Sequence, residues 1–185
     1  RVLFMRVTKL LSLIRNRHLV QKFDDRMVAP EAIEAVLEAA RYAPSAREAQ
    51  PWRFVVIQEA LLRHEVAAAA FNHPHVRTAP VVIVCCARIH SHVSGNGRPS
   101  FPMDIAAAAQ TLVIAAADLG LHSSWICGFK ESEVQRVVGI PGDVPVVALI
   151  CLGYQAGLAD LPERMPREDT VAWDRWALPD GRIPL

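Results

Sequence analysis

The sequence predicts an α+β fold, a sheet covered on both faces by helices, and two observations carry the prediction. Val81–Ala87 and Val146–Gly153 are each apolar without interruption over the length of a strand. That is how strands read when both faces are buried, whereas a strand with one wet face alternates. The stretch 104–119, DIAAAAQTLVIAAADL, is apolar around nearly its whole circumference and so needs cover on every side. A chain of 185 residues with 52% hydrophobic content can bury such a core as one domain.

Taken in order, the elements begin with an amphipathic helix: Leu3, Val7, Leu10 and Ile14 share one face while Arg6, Lys9 and Arg15 lie elsewhere. No uninterrupted apolar run approaches the roughly 20 residues of a spanning helix, and no small-residue cleavage site follows a signal-like core. Arg17, His18 and Lys22 come next. Cations are favoured at a helix end by its dipole, and the same group can meet a phosphate. In Pro30–Arg41 the spacing of Ile33, Val36, Leu37 and Ala40 predicts a surface helix, with Glu31, Glu34, Glu38 and Arg41 turned to water. Ala43 precedes Pro44 and is thereby biased out of the helical region, so the helix ends there. Ser45 then stands at a bend, its hydroxyl and the nearby backbone amides free of helical bonds and able to serve a ligand.

Gln50, Pro51 and Trp52 lead into a strand at 54–57, followed by a helix at 61–71. Asn72 and His75, read alone, are surface-loop residues before the strand at Val81–Ala87. Residues 90–103 read as a loop. The Gly95-Asn96-Gly97 within it lacks the preceding strand and following helix of a phosphate cradle. Gly120 is the natural stop of the long helix. A short strand over 123–129 reaches Cys127 and Gly128, where a glycine permits close approach of a ligand to the backbone. Glu131–Val138 is a short helix stopped by Gly139. Trp173 and Trp176, on a polar, proline-flanked tail, suggest packing against a partner subunit.

A net charge of +1, from 20 basic and 19 acidic residues, provides no field that would draw nucleic acid or an anionic membrane. Cys85, Cys86, Cys127 and Cys151 lack metal-ligand spacing, lie in apolar runs that read as buried strand or strand edge, and read as reduced core thiols of a cytoplasmic protein. No metal site is expected. No general acid–base pair or nucleophile triad can be assembled, and Cys127 has no basic neighbour or histidine at a fixed spacing that would make it a nucleophile.

Several motifs, in order, span about residues 15 to 176. Arg17-His18 is followed by Phe23; Ala43-Pro44-Ser45 by Gln50-Pro51-Trp52; Asp104 by an alanine-rich stretch, Gln110 and then Gly120-Leu121; Leu152-Gly153-Tyr154 by Arg164-Met165-Pro166. Together they resemble the FMN-dependent nitroreductase family of NAD(P)H-dependent flavin oxidoreductases. The resemblance implies a three-layer fold with a mixed, mostly antiparallel central sheet flanked by helices. It also implies an intertwined homodimer in which both subunits line each site, with a C-terminal extension of about 155–185 packing on the partner.

The chemistry it implies is hydride transfer from NADH or NADPH to flavin N5, and then, by a ping-pong mechanism, to a small organic acceptor such as a nitroaromatic or a quinone. A flavin reaction of another kind on the same fold, or a binding module that has lost its flavin, are the alternatives. The flavin carries the reaction, so no residue of the chain is assigned as catalytic. Carried over as FMN-binding positions are Arg17, His18, Leu19, Gln21, Pro44, Ser45, Asn72, His75, Cys127, Gly128 and Arg164. Arg17, His18 and Arg164 would meet the phosphate, and Ser45 with the Cys127-Gly128 backbone would orient the ring. The chain departs from the pattern at Leu19, where relatives carry serine, at Gln21, where they carry a second basic residue, and at Glu48, where they carry asparagine. Pro162 stands where they often have lysine, with Arg167 as a substitute.

Overall fold

The computed structural model describes residues 9–15, 20, 22–88, 97–157 and 163–176. Arg17, His18, Leu19 and Gln21, and the apolar positions Leu3 and Val7, lie outside the described residues. The elements are α1 (Lys9–Arg15), α2 (Pro30–Arg41), β1 (Trp52–Ile57), α3 (Ala60–Ala69), α4 (Pro74–Thr78), β2 (Val81–Ala87), α5 (Phe101–Asp118), β3 (His122–Ile126), α6 (Glu131–Val138) and β4 (Val146–Gly153).

The four strands form one sheet in the order β1-β2-β4-β3. All three pairings are antiparallel. Every residue of β2 is buried, as its unbroken apolar run requires. Its side chains alternate between two cores. Val81, Ile83, Cys85 and Ala87 face α2 and α5, together with Ile33, Val36, Ile105, Leu112, Ile150 and Leu152. Val82, Val84 and Cys86 face α3, α4 and α6, together with Val66, Val76, Val134, Leu149 and Cys151. The fold is therefore three layers, with the sheet in the middle.

The register slips between Cys85 and Cys86, which pair with Ala148 and Val146, so β4 carries a bulge at Val147. This irregularity lies at the end of the sheet where β1 begins and β2 ends, since Trp52 pairs with Ala87. β3 also runs out toward that end, its last residue Ile126 pairing with Leu149.

Helix α5 departs from expectation in two respects. It starts at Phe101, before the 104 of the sequence reading, because Pro102 falls in the first turn, where a missing N–H costs nothing. It is also not covered all round. Ile105, Ala108, Ala109, Leu112, Val113 and Ala116 are buried, while Ala107, Thr111, Ile114 and Ala115 are half-buried along the opposite side. Thr111, Ile114 and Ala115, with Leu10 and Leu13 of α1 and Ala39 of α2, line a groove of about 430 Å³. Gly120, with φ of 74°, takes the left-handed conformation that ends the helix. Among the described residues, no helix is long and apolar enough to cross a membrane.

Gly153 closes β4 where two layers meet. A Cβ there would lie 2.6 Å from Pro80 Cδ and 2.9 Å from Phe23 Cδ1. Pro80 is a rigid ring and Phe23 is buried, so Gly153→Ala is expected to cost about 1–3 kcal/mol in urea unfolding through overpacking. Gly142→Ala, with nothing within 4 Å of the added atom, is the control and should change stability by less than about 0.5 kcal/mol.

Candidate functional site

The segment between α2 and β1 is short, strained and tethered. Ser45 is extended, with φ −140° and ψ 155°, and opens a single 3-10 turn, Ala46–Glu48. Arg47, Glu48 and Gln50 have φ of 54°, 55° and 46°. None is a glycine, so each left-handed conformation costs of order 1 kcal/mol. Two polar contacts hold the turn. The Ala46 N–H donates to Asp104 Oδ1 of α5 at 2.8 Å, and the Gln50 N–H donates to Ser45 Oγ at 3.0 Å. Pro51 and Trp52, both buried, anchor the exit into β1. The amides that the sequence reading left free for a ligand are thus mostly taken, at Ala46, Glu48, Ala49 and Gln50. Ser45 accepts from Gln50, which leaves its own hydroxyl proton to donate.

A second group forms where α3 turns into α4. Phe71 and Asn72 are also left-handed, with φ of 53° and 55°, and the Asn72 N–H closes on Ala67 O at 2.7 Å. The turn after β3 docks here, its Lys130 N–H donating to Ala69 O at 2.9 Å, with the Lys130 ammonium 6.0 Å from the centroid of the Phe71 ring. Cys127 and Gly128 are carried on that turn, both exposed, and a Cβ added at Gly128 would meet nothing within 4 Å. His75 is less open than the sequence suggests. It lies in α4, a helix absent from the sequence reading, its Nδ1 2.6 Å from Ser124 Oγ and its ring edge-on to Phe23. Arg164 is exposed at the start of the described tail.

Asn72 and His75 therefore lie on the side of the sheet covered by α3, α4 and α6, against β3 and the turn after it, and Cys127 and Gly128 follow the end of that strand. Pro44 and Ser45 lie on the other side, at the N-terminal end of α5 and near β1. Between the edge strands β1 and β3 lie β2 and β4, a lateral distance of about 14 Å at ordinary strand spacing. Asp104 is the residue that sequence reading passed over. Its signal was there: a carboxylate within an apolar helical face is tolerated only when something bonds to it.

The nitroreductase family model matches residues 14–154. The chain belongs to the nitroreductase family. Within this nitroreductase kinship it is 30% identical over 189 residues to the NADH dehydrogenase of Thermus thermophilus, with 85% of this chain and 92% of that protein covered. It is 23% identical over 172 residues to FMN reductase (NADPH) of Bacillus subtilis, across 84% of this chain and 69% of that one. A nitroreductase family protein of known structure from Clostridium novyi NT superposes with a TM-score of 0.74 at 27% identity, over 80% of this chain and 87% of its own. The α+β architecture derived above is the nitroreductase fold.

The four cysteines fall into two kinds. Cys127 is exposed, whereas Cys85, Cys86 and Cys151 are buried in the sheet. Burial pushes the Cys86 thiol up from 9.0 to about 11, with the Glu131 carboxylate adding to the effect. Burial raises Cys85 and Cys151 as well. Unfolded thiols ionise first as pH climbs past about 9, while the folded ones keep their protons. Stability is therefore unaffected below about pH 9 and falls above it, by up to about 1.4 kcal/mol per pH unit for each buried thiol. Urea midpoints measured from pH 7 to 10.5 check this, and a thiol reagent at pH 8 should modify Cys127 alone until the protein is unfolded.

Proposed function

We propose that this chain is an FMN-dependent oxidoreductase that takes hydride from NADH or NADPH and passes it, in a ping-pong cycle, to a small organic acceptor such as a nitroaromatic or a quinone. Two copies act together, with sites at the subunit interface. The observation that carries the reading is the division of the expected contacts across the sheet. Ser45 stands beside β1 and Asn72, His75 and Gly128 beside β3, at opposite edges of the sheet, and in this reading a second copy brings the two groups to one flavin. Membership of the nitroreductase family, and relatives named FMN reductase (NADPH) and NADH dehydrogenase, support the cofactor and the donor.

The residues present fit a flavin mononucleotide. Ser45 has a hydroxyl proton to donate, Asn72 an exposed amide, Gly128 an open backbone and Arg164 an exposed guanidinium. Arg17, His18 and Arg164 would hold the phosphate, each charge-assisted bond contributing roughly 1.5–3 kcal/mol. Pro44 sets the bend that presents Ser45; Ser45, Asn72, His75 and the Cys127-Gly128 backbone would orient the ring. Bound FMN supplies the two-electron exchange between nicotinamide and acceptor. The chain's part is to bind, orient and exclude water. The whole chain is one domain in this reading, and the extension of about 155–185 packs on the second copy. Its Trp173 and Trp176 are 77% and 80% exposed on the single chain.

Leu19 offers no hydroxyl, and Gln21 no charge, where relatives carry serine and a base. With a neutral amide at 21 the negative charge of reduced flavin is less stabilised, and the bound potential is lower than with a cation there.

Two experiments test the reading. Protein loaded with FMN should be yellow, bleach under anaerobic NADH or NADPH, and recolour with a nitroaromatic or quinone; no flavin binding at micromolar concentration sinks the proposal. Gln21→Lys should raise the potential of the bound flavin in a dye-equilibration titration, and an unchanged or lower value rejects the role given to that position.

A further inference from the structure

We infer that Asp104 is the positioning residue of the Ser45 loop: from α5, 58 residues away in sequence, it ties down the first N–H of the strained 3-10 turn and so fixes the backbone from which the Ser45 hydroxyl is presented to a ligand. The ligand is the flavin mononucleotide of the preceding section, and to that extent the inference rests on that reading. The geometry stands apart from it.

A residue that opens a helical turn with extended backbone ordinarily turns its own side-chain oxygen inward, onto the N–H of the second or third residue of the turn. Serine is among the best residues for this. Ser45 has the extended backbone of such a cap and makes no such bond. Its Oγ is turned to the Gln50 N–H on the far side of the turn, and the first N–H of the turn, at Ala46, is bonded by Asp104. Asp104 thus holds the first donor of the turn, which a cap hydroxyl does not serve, while the Glu48 N–H bonds the Ser45 carbonyl and the Ser45 hydroxyl is left to Gln50.

Two observations mark this arrangement as held against an alternative. The turn carries the left-handed residues Arg47, Glu48 and Gln50, none of which favours that conformation. Asp104 is only 6% exposed, and its second oxygen, Oδ2, has no hydrogen-bond partner among the described residues. A carboxylate buried with one oxygen unmatched is costly, and an apolar residue there would avoid the cost. Without Asp104 the left-handed residues can relax, and the Ser45 hydroxyl folds back onto the turn, away from Gln50 and from a ligand.

The test uses the full chain and four variants. Asp104→Ala removes the tie, Asp104→Ser keeps a polar atom too short to reach Ala46, Asp104→Asn keeps the acceptor, and Ser45→Ala removes the hydroxyl. Amide hydrogen exchange over 44–50 is read in flavin-free protein, and the FMN dissociation constant is read from quenching of flavin fluorescence. Asp104→Ala and Asp104→Ser should each raise exchange over 44–50 and weaken FMN by about tenfold or more, the loss of one charge-assisted bond. Asp104→Asn should stay within about threefold of wild type on both readouts, since it retains the bond in neutral form. Combining Asp104→Ala with Ser45→Ala should weaken FMN no further than the worse single change, because both act through one hydroxyl.

Should Asp104→Ala not fold, the serine and asparagine variants decide the matter between them. Wild-type exchange over 44–50 in Asp104→Ser, or Asp104→Asn behaving like Asp104→Ser, overturns the inference. So does raised exchange with an unchanged FMN constant, or full additivity in the double variant. Wild-type protein that binds no FMN overturns the functional reading instead, a different result from any of these.

Discussion

A sheet covered on both faces is the constraint on which everything else in this molecule depends. β2 and β4 are buried along almost their whole length, and their side chains fill two separate cores. No ligand can lie on such a sheet, so chemistry is confined to the ends of strands, the two edges and the loops that leave them. The groups expected to bind a cofactor obey this: Ser45 just before β1, Cys127 and Gly128 just after β3, and Asn72 and His75 between α3 and β2. The bulge at Val147 lies at the same end of the sheet as Ser45 and Gly128. Bulges are common where a regular ladder must give way beside a site.

Rigid layers also allow the loop before β1 to be strained. Arg47, Glu48 and Gln50 together cost a few kcal/mol in backbone conformation, a substantial share of the marginal stability of a domain this size. The loop holds because its two ends are anchored elsewhere: α2 on one side, buried Trp52 on the other, and the Asp104 contact across the middle. Remove the α5 carboxylate and the middle of the loop keeps only bonds within the loop itself and to Arg53, next to it in β1.

What was legible in the sequence was whatever depends on neighbours a few residues apart. The unbroken apolar runs located β2 and β4 to the residue, helical spacing found α2, which stops at Arg41, two residues before the expected end at Ala43, and Gly139 marked the end of α6. A period needs length to be seen, which is why α4 escaped: five residues beginning at Pro74 show barely one turn. The left-handed residues escaped for a different reason. Arginine, glutamate and glutamine have no local preference for that conformation, and the side chain that ties the turn to the core, Asp104, lies far along the chain. The candidate positions came from family resemblance, and their division across the sheet could not be read from them. That division follows from strand order, with β1 and β3 at opposite edges, and strand order is written in no short stretch of residues.

The same strand order makes sense of α5. A helix of alanines with Ala107, Thr111, Ile114 and Ala115 half-buried along one side looks inefficient in a single chain, since burial of that side would contribute roughly 25 cal/mol for each Å² covered. Small residues lower the relief of a helix surface and let another backbone approach closely, so the row suits a helix or strap from a second molecule better than it suits water. α1 covers part of that side and leaves a groove, while the two exposed tryptophans of the tail need an apolar surface of their own. In the proposed dimer these features complete one another: the open side of α5 and the tail meet a second copy, and the Ser45 loop at the N-terminal end of the same helix is carried across to the Asn72 and Gly128 side of its partner. Joining two protomers and completing two sites are then one event, because the helix that would make the contact is the helix that holds the loop.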